Sequence, residues 1–160
     1  MARTAIHHAV ERGDRERVAK LLSEGGDVNT RDGSGRTPLH LAAEMDDADM
    51  AAMLISKGAD VNARDDNGVR PLRSAAYNGS IEVTRLLLDK GADVNVRHDQ
   101  NGTPLHAAAY GGHVEVVRLL TSRGADLDAR LDDGTTPLTL ALRKKDRAVT
   151  ALLIQLGAQE

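Results

Sequence analysis

Apolar residues in this chain come in short, evenly spaced bursts, and each burst fits one face of a short helix. From Thr103 onward, Leu105, Ala108 and Ala109 fall at i, i+3 and i+4. Thr103 supplies a hydroxyl N-cap, and Pro104 sits at the first helical position, where its missing N–H costs nothing. Gly111-Gly112 ends this helix, since glycine makes a left-handed C-terminal turn without penalty. Val116, Leu119 and Leu120 repeat the spacing in a second helix, which Gly124 closes. Turn residues from Asp126 to Gly134 follow, with Asp132-Asp133-Gly134 at the tip of a hairpin-like projection.

The same pattern recurs along the chain. Pro38, Pro71, Pro104 and Pro137 are separated by a constant step of 33, and one step back from Pro38 lands on Ala5. Thr37-Pro38-Leu39-His40 returns as Thr103-Pro104-Leu105-His106, and more loosely as Arg70-Pro71-Leu72-Arg73 and Thr136-Pro137-Leu138-Thr139. A second marker keeps the step: Gly58-Ala59-Asp60-Val61-Asn62, Gly91-Ala92-Asp93-Val94-Asn95 and Gly124-Ala125-Asp126-Leu127-Asp128. Two markers with one spacing define five units, about 1–30, 31–63, 64–96, 97–129 and 130–160, in a single domain.

Helices of two or three turns do not hold alone in water, so stacked units must cover one another's apolar faces. The first unit shows how such a stack begins. It carries Arg17 where the others have Met50, Val83, Val116 and Val149, and Lys20 where they have Met53, Leu86, Leu119 and Leu152. Charge at both places marks an N-terminal cap. In the last unit Leu152, Leu153, Ile154 and Leu156 stay apolar while Arg143-Lys144-Lys145-Asp146-Arg147 is very polar. That unit reads either as a terminal cap or as part of a longer array.

Composition narrows the picture. Apolar residues make up 41% of the 160 positions but aromatics only 1%, two Tyr with no Phe or Trp. A core of Ala, Leu and Val fits thin layers packed closely, a strip rather than a ball. Charged residues are mixed in sign with a net charge of −3, which offers no footprint for nucleic acid or an anionic membrane. Without Cys, disulfides, thiolate metal sites and cysteine nucleophiles are excluded. No signal peptide or bilayer-length apolar run is visible, so a soluble, cytoplasmic chain is expected, with the nucleus also open to it.

The markers at Thr103 to Asp128 closely resemble the ankyrin repeat: a Thr-Pro-Leu-His start, a central Gly-His, a Val-Val-x-Leu-Leu helix and a Gly-Ala-Asp-Val-Asn close. The resemblance covers essentially the whole chain. It implies an all-α solenoid of stacked helix-turn-helix units, with hairpin-like loops on one side and a concave groove that binds proteins. Three departures stand out. Unit three has Arg70 and Arg73 where Thr and His belong, losing a hydroxyl cap worth about 1 kcal/mol. Unit two has Asp46 at the slot of Gly13, Gly79 and Gly112, which calls for a strained turn. Asn101 replaces the hairpin glycine of Gly35, Gly68 and Gly134, a conformation Asn tolerates. Local weakness is expected in units two and three.

In such a family, function sits at positions that vary between units: the hairpin tips and the exposed end of each first helix. One row along the groove is Glu11, Glu44, Tyr77, Tyr110 and Arg143; its neighbour is Arg12, Met45, Asn78, Gly111 and Lys144. Packed helices lie about 8–10 Å apart, so Tyr77 and Tyr110 stand side by side in the middle of the groove, next to Met45. The tips add Arg31, Ser34 and Arg36, then Arg64, Asp66, Asn67 and Val69, then His98, Asp99 and Gln100, then Arg130, Leu131, Asp132 and Asp133. The expected partner-binding set is therefore Arg12, Arg36, Glu44, Met45, Asp66, Asn67, Val69, Tyr77, Asn78, Asp99, Gln100, Tyr110, Asp133, Arg143 and Lys144. Two readings of the tyrosines stand open: partner anchors, or repeat residues packing over Gly79 or Gly112. The 33-periodic arginines Arg31, Arg64, Arg97 and Arg130 read as framework.

Other chemistry is poorly supported. His7, His40 and His106 share one repeat slot, where the family uses His for hydrogen bonds within and between units, and spread-out ligands do not converge on a metal. Gly33-Ser34-Gly35-Arg36-Thr37 lacks the ending of a phosphate loop, and Asp65-Asp66-Asn67-Gly68 lacks the glutamate of a calcium loop. No set of nucleophile and base stands outside the framework, so no enzyme, cofactor or metal is expected. The expectation is a monomeric scaffold, adaptor or inhibitor that binds another protein. Two alternatives accompany it. Some ankyrin proteins are hydroxylated at the closing Asn, which Asn29, Asn62 and Asn95 match; the turn-forming role of Asn explains them equally. The regularity is also that of an engineered ankyrin binder, but Glu44-Met45-Asp46-Asp47 and Arg70-Pro71-Leu72-Arg73 favour a natural sequence.

Overall fold

A computed structural model describes residues 4–159. Among them the regular structure is helical and arranged in five pairs. The first pair is α1 (Ala5–Glu11) and α2 (Arg15–Ser23); the second is α3 (Pro38–Glu44) and α4 (Ala48–Ser56). The third is α5 (Pro71–Asn78) and α6 (Ile81–Asp89), the fourth α7 (Pro104–Gly111) and α8 (Val114–Ser122), the fifth α9 (Pro137–Arg143) and α10 (Arg147–Gln155). The first helices pack in succession from α1 to α9, and α4, α6, α8 and α10 pack as a second layer. The all-α stack expected from the period is the fold observed.

Each layer is tied to the next by residues at fixed repeat slots. In units one, two and four the N-cap threonine and the histidine three residues on form a capping box in which His stands where Glu is usual. The N–H of Thr4, Thr37 and Thr103 donates to Nδ1 of His7, His40 and His106 at 3.4, 3.1 and 3.3 Å. The opposite ring nitrogen then donates across the unit boundary, to the carbonyls of Arg36, Val69 and Thr135 at 2.9, 3.0 and 3.1 Å. One nitrogen must accept and the other donate, so each ring works as a neutral imidazole.

The asparagines do more than form turns. Asn29, Asn62 and Asn95 donate from Nδ2 to the carbonyls of Gly58, Gly91 and Gly124 in the following units, at 3.1, 3.5 and 2.9 Å. The oxygens of Asn29 and Asn95 accept the N–H of Asp60 and Asp126, both at 2.8 Å.

The core is the expected strip. Leu39, Leu72, Leu105 and Leu138 lie buried at one slot, and Ala42, Ala75, Ala108 and Ala141 at another, so small residues let the helices approach closely. Arg17 and Lys20 are exposed, whereas Met50, Val83, Val116 and Val149 are buried at the slot of Arg17. At the far end Ile154 and Leu156 remain exposed.

The departures read from the sequence are visible in the local geometry. Arg70 caps α5 without a side-chain hydrogen bond, and Asp46 adopts φ +56°. Lys145 occupies the same slot in unit five at φ +58°, a second strained position that the sequence reading overlooked. Among the described residues, no helix is long and apolar enough to cross a membrane.

Candidate functional site

In units two and three an aspartate shapes the hairpin tip. Asp32 Oδ1 accepts the N–H of Ser34 and Arg36 at 2.9 and 3.0 Å, and Asp65 Oδ1 accepts those of Asn67 and Val69 at 2.9 and 2.8 Å. Burial works against the charge of Asp32, but the N–H of Ser34 and the Arg36 guanidinium outweigh it and hold its pKa at about 2. The same slot carries His98 in unit four and Leu131 in unit five, neither of which can accept in this way. The fourth tip winds instead into a single 3-10 turn, Asp99–Asn101, with Gln100 and Asn101 both left-handed at φ +60° and +61°.

This change separates two neighbouring tips. Asp66 N–H bonds to the Ser34 carbonyl at 3.0 Å, and Asp132 N–H to the Gln100 carbonyl at 3.0 Å. Among the described residues there is no counterpart between Asn67 and Asp99. A trough of about 520 Å3 opens there. Helices α5, α7 and α9 contribute Arg73, Tyr77, Ala107, Tyr110 and Leu140 to its lining; the tips contribute Asn67, Val69, His98, Asp99, Gln100 and Leu131.

The chain's two aromatic rings stack over this trough, with centroids 6.1 Å apart and planes 16° from parallel. They are 46% and 45% exposed, unusually open for large rings. Lys144 Nζ lies over Tyr110, 4.4 Å from the ring centre. The side chains nearest to Gly79 and Gly112 are not the tyrosines. His113 holds the space over Gly79, and Asp146 faces Gly112. The His113 Nε2 donates to the Tyr77 carbonyl at 2.8 Å. Gly111 makes this approach possible, because a Cβ there would collide with the His113 ring and stand 2.9 Å from that carbonyl.

Behind the tyrosines, Arg73 Nε donates to His98 Nε2 at 3.1 Å. To accept that bond the imidazole must be neutral at Nε2. Burial first, and the Arg73 charge second, push the His98 pKa down to about 4.

The residues expected from sequence divide into two groups. Asn67, Val69, Tyr77, Asp99, Gln100 and Tyr110 meet at the trough, with Lys144 at its edge. The others are spread along the stack. Arg36 donates to Asp32 at 2.8 Å and to Glu44 at 3.1 Å, tying its tip to α3. Asp66 pairs with Arg31 at 2.9 Å, and Asn78 donates to the Ser74 carbonyl within its own helix. Asp133 accepts the Thr135 N–H at 2.9 Å, and Arg143 donates to the Thr135 hydroxyl at 3.1 Å. Arg12 and Met45 are exposed on the N-terminal side. The tip residues His98 and Leu131 line the trough as well, while Arg73 and Leu140 join the site without having been expected there. The signal was present for Arg73, which sits at a histidine slot.

The arrangement suits binding: stacked rings, aliphatic side chains and one guanidinium around an open depression. Among the described residues no three His, Asp or Glu side chains gather as a metal site. The family model for ankyrin repeats (3 copies) matches residues 6–98 and again residues 72–160. No curated protein matches the chain.

Proposed function

Because the chain belongs to the ankyrin-repeat family, whose repeats are generally protein–protein interaction modules, we propose that it holds a partner protein on its concave face. The stacked, half-exposed Tyr77–Tyr110 pair over the trough carries this reading. Tyrosine is enriched at binding hot spots because it offers large rigid area with one polar tip. The tips around it mix acidic Asp66, Asp99 and Asp133 with basic Arg31 and Arg97, which suits a protein surface better than a phosphate chain. The chain acts in this reading as a monomeric scaffold, adaptor or inhibitor, without cofactor or catalysis.

The test is the double substitution Tyr77→Ala/Tyr110→Ala, assayed by affinity capture and by thermal melting. Both rings are half exposed, so the melting curve should move little while capture is lost. Intact capture by the double variant contradicts the reading.

A further inference from the structure

Three arginines are partly buried among the described residues, and they differ in what faces them. Arg36 has the carboxylates of Asp32 and Glu44. Arg70 donates to the Asn62 carbonyl. Among the described residues, Arg73 has only the neutral imidazole of His98, reached through Nε, and no carboxylate there lies within ion-pair distance of it. Its Nη amino groups find no acceptor in the described part of the protein. A half-buried cation without a counter-ion is costly, and a planar fork with free Nη donors matches a carboxylate. Asp99, the acidic residue in the trough lining, has its Oδ1 beside Gly68 of the neighbouring tip and does not pair with Arg73.

The origin of this feature lies in the repeat. At the slot of Arg73, His40 and His106 turn inward and bond to the next unit. Arg73 makes no such bond: its Nε donates to His98 instead, and Gly102 O, the counterpart of their acceptors, receives only the His98 N–H at 3.0 Å, where Val69 O and Thr135 O each receive a backbone N–H and the histidine. Arg73 therefore lines the trough, with its Nε pinned by His98, beside Tyr77, Tyr110 and Leu131.

We propose that the trough receives an acidic side chain of the partner, a glutamate or aspartate whose carboxylate is held by Arg73. An apolar side chain of the same segment then rests against Tyr77, Tyr110 and Leu131. This rests on the binding-module reading above and specifies the chemistry that the module recognises.

The experiment is selection of a random peptide library on the full chain, followed by affinity measurement of the enriched peptides. Wild type is compared with Arg73→His, which restores the residue of units two and four and so protects the fold, and with Arg73→Gln. Enriched peptides should carry Asp or Glu next to an apolar residue. They should bind both variants at least tenfold more weakly, and replacing their acid by its amide should erase the difference between wild type and variants. Peptides that depend on the tyrosines but bind Arg73→His and Arg73→Gln undiminished overturn this proposal and leave the binding-module reading standing. Enrichment of basic peptides, or of none with an acidic residue, also overturns it. Peptides indifferent to both Arg73 and the tyrosines defeat the two readings together.

Discussion

The Nε2–H of His113 donates to the carbonyl of Tyr77 at 2.8 Å, joining units three and four directly beside the tyrosine pair. The ring also fills the space over Gly79 and Gly111, so it fixes the end of α5 against the end of α7. Because Tyr77 and Tyr110 are the chain's only aromatics, near-ultraviolet circular dichroism reports on this pair alone. His113→Ala should weaken that signal while the far-ultraviolet helical spectrum persists. One hydrogen bond and its packing are worth about 1–2 kcal/mol, so the melting point should fall by a few degrees. An unchanged near-ultraviolet spectrum would show that His113 does not position the rings.

Acid should loosen the stack. Burial lowers the pKa of His40 and His106, and that of His98 falls to about 4, against an ordinary value of 6.5. The folded state therefore binds fewer protons than the unfolded chain in this range. The stability from these neutral rings is complete above about pH 6.5 and is lost as pH falls toward 4. The urea midpoint should drop between pH 7.5 and 4.5, and His98→Gln should remove part of that slope. Asp32, held at about 2 against an ordinary 3.8, loses its contribution mainly below this window. A midpoint that stays level or rises on acidification contradicts the neutral-imidazole assignment.

Thr84 is buried in α6 with a hydroxyl that has no hydrogen-bond partner. The equivalent positions carry Val18, Ala51 and Val117, all buried, and the partly buried Thr150. By contrast, the Thr121 hydroxyl donates to the Val117 carbonyl at 2.9 Å. Replacing an unsatisfied buried hydroxyl by a methyl of similar shape removes a desolvation cost of about 1 kcal/mol or more. Thr84→Val should therefore raise the melting point by about 2–4 °C. A lowered melting point would mean the hydroxyl has a partner in solution.

The repeat framework was legible because its rules are local. Caps lie three residues from what they cap, helix faces repeat at three and four, and the step of 33 multiplies each signal. The exposed Arg17 and Lys20 followed from the same logic. What escaped depends on contacts across units. Asn29 looks like a turn residue until its side chain is seen reaching Gly58 and Asp60. Arg73 and His98 are 25 positions apart, and nothing in either residue announces the other. Lys145 was hidden for a different reason: a lysine is an unusual choice for a left-handed position, and only alignment with Gly13, Gly79 and Gly112 exposes it. The Tyr77–Tyr110 neighbourhood could be read from the period, but the trough below could not, since it arises where the fourth tip refolds around Gln100.

Photo-crosslinking measures the central claim most directly. A benzophenone amino acid is placed at Gln100, on the trough lining, or at Arg118, exposed on α8 in the other helix layer. With partner bound, irradiation should join partner to chain from position 100 and not from position 118. Crosslinking from Arg118 with none from Gln100 would place the partner on the opposite layer and contradict the account.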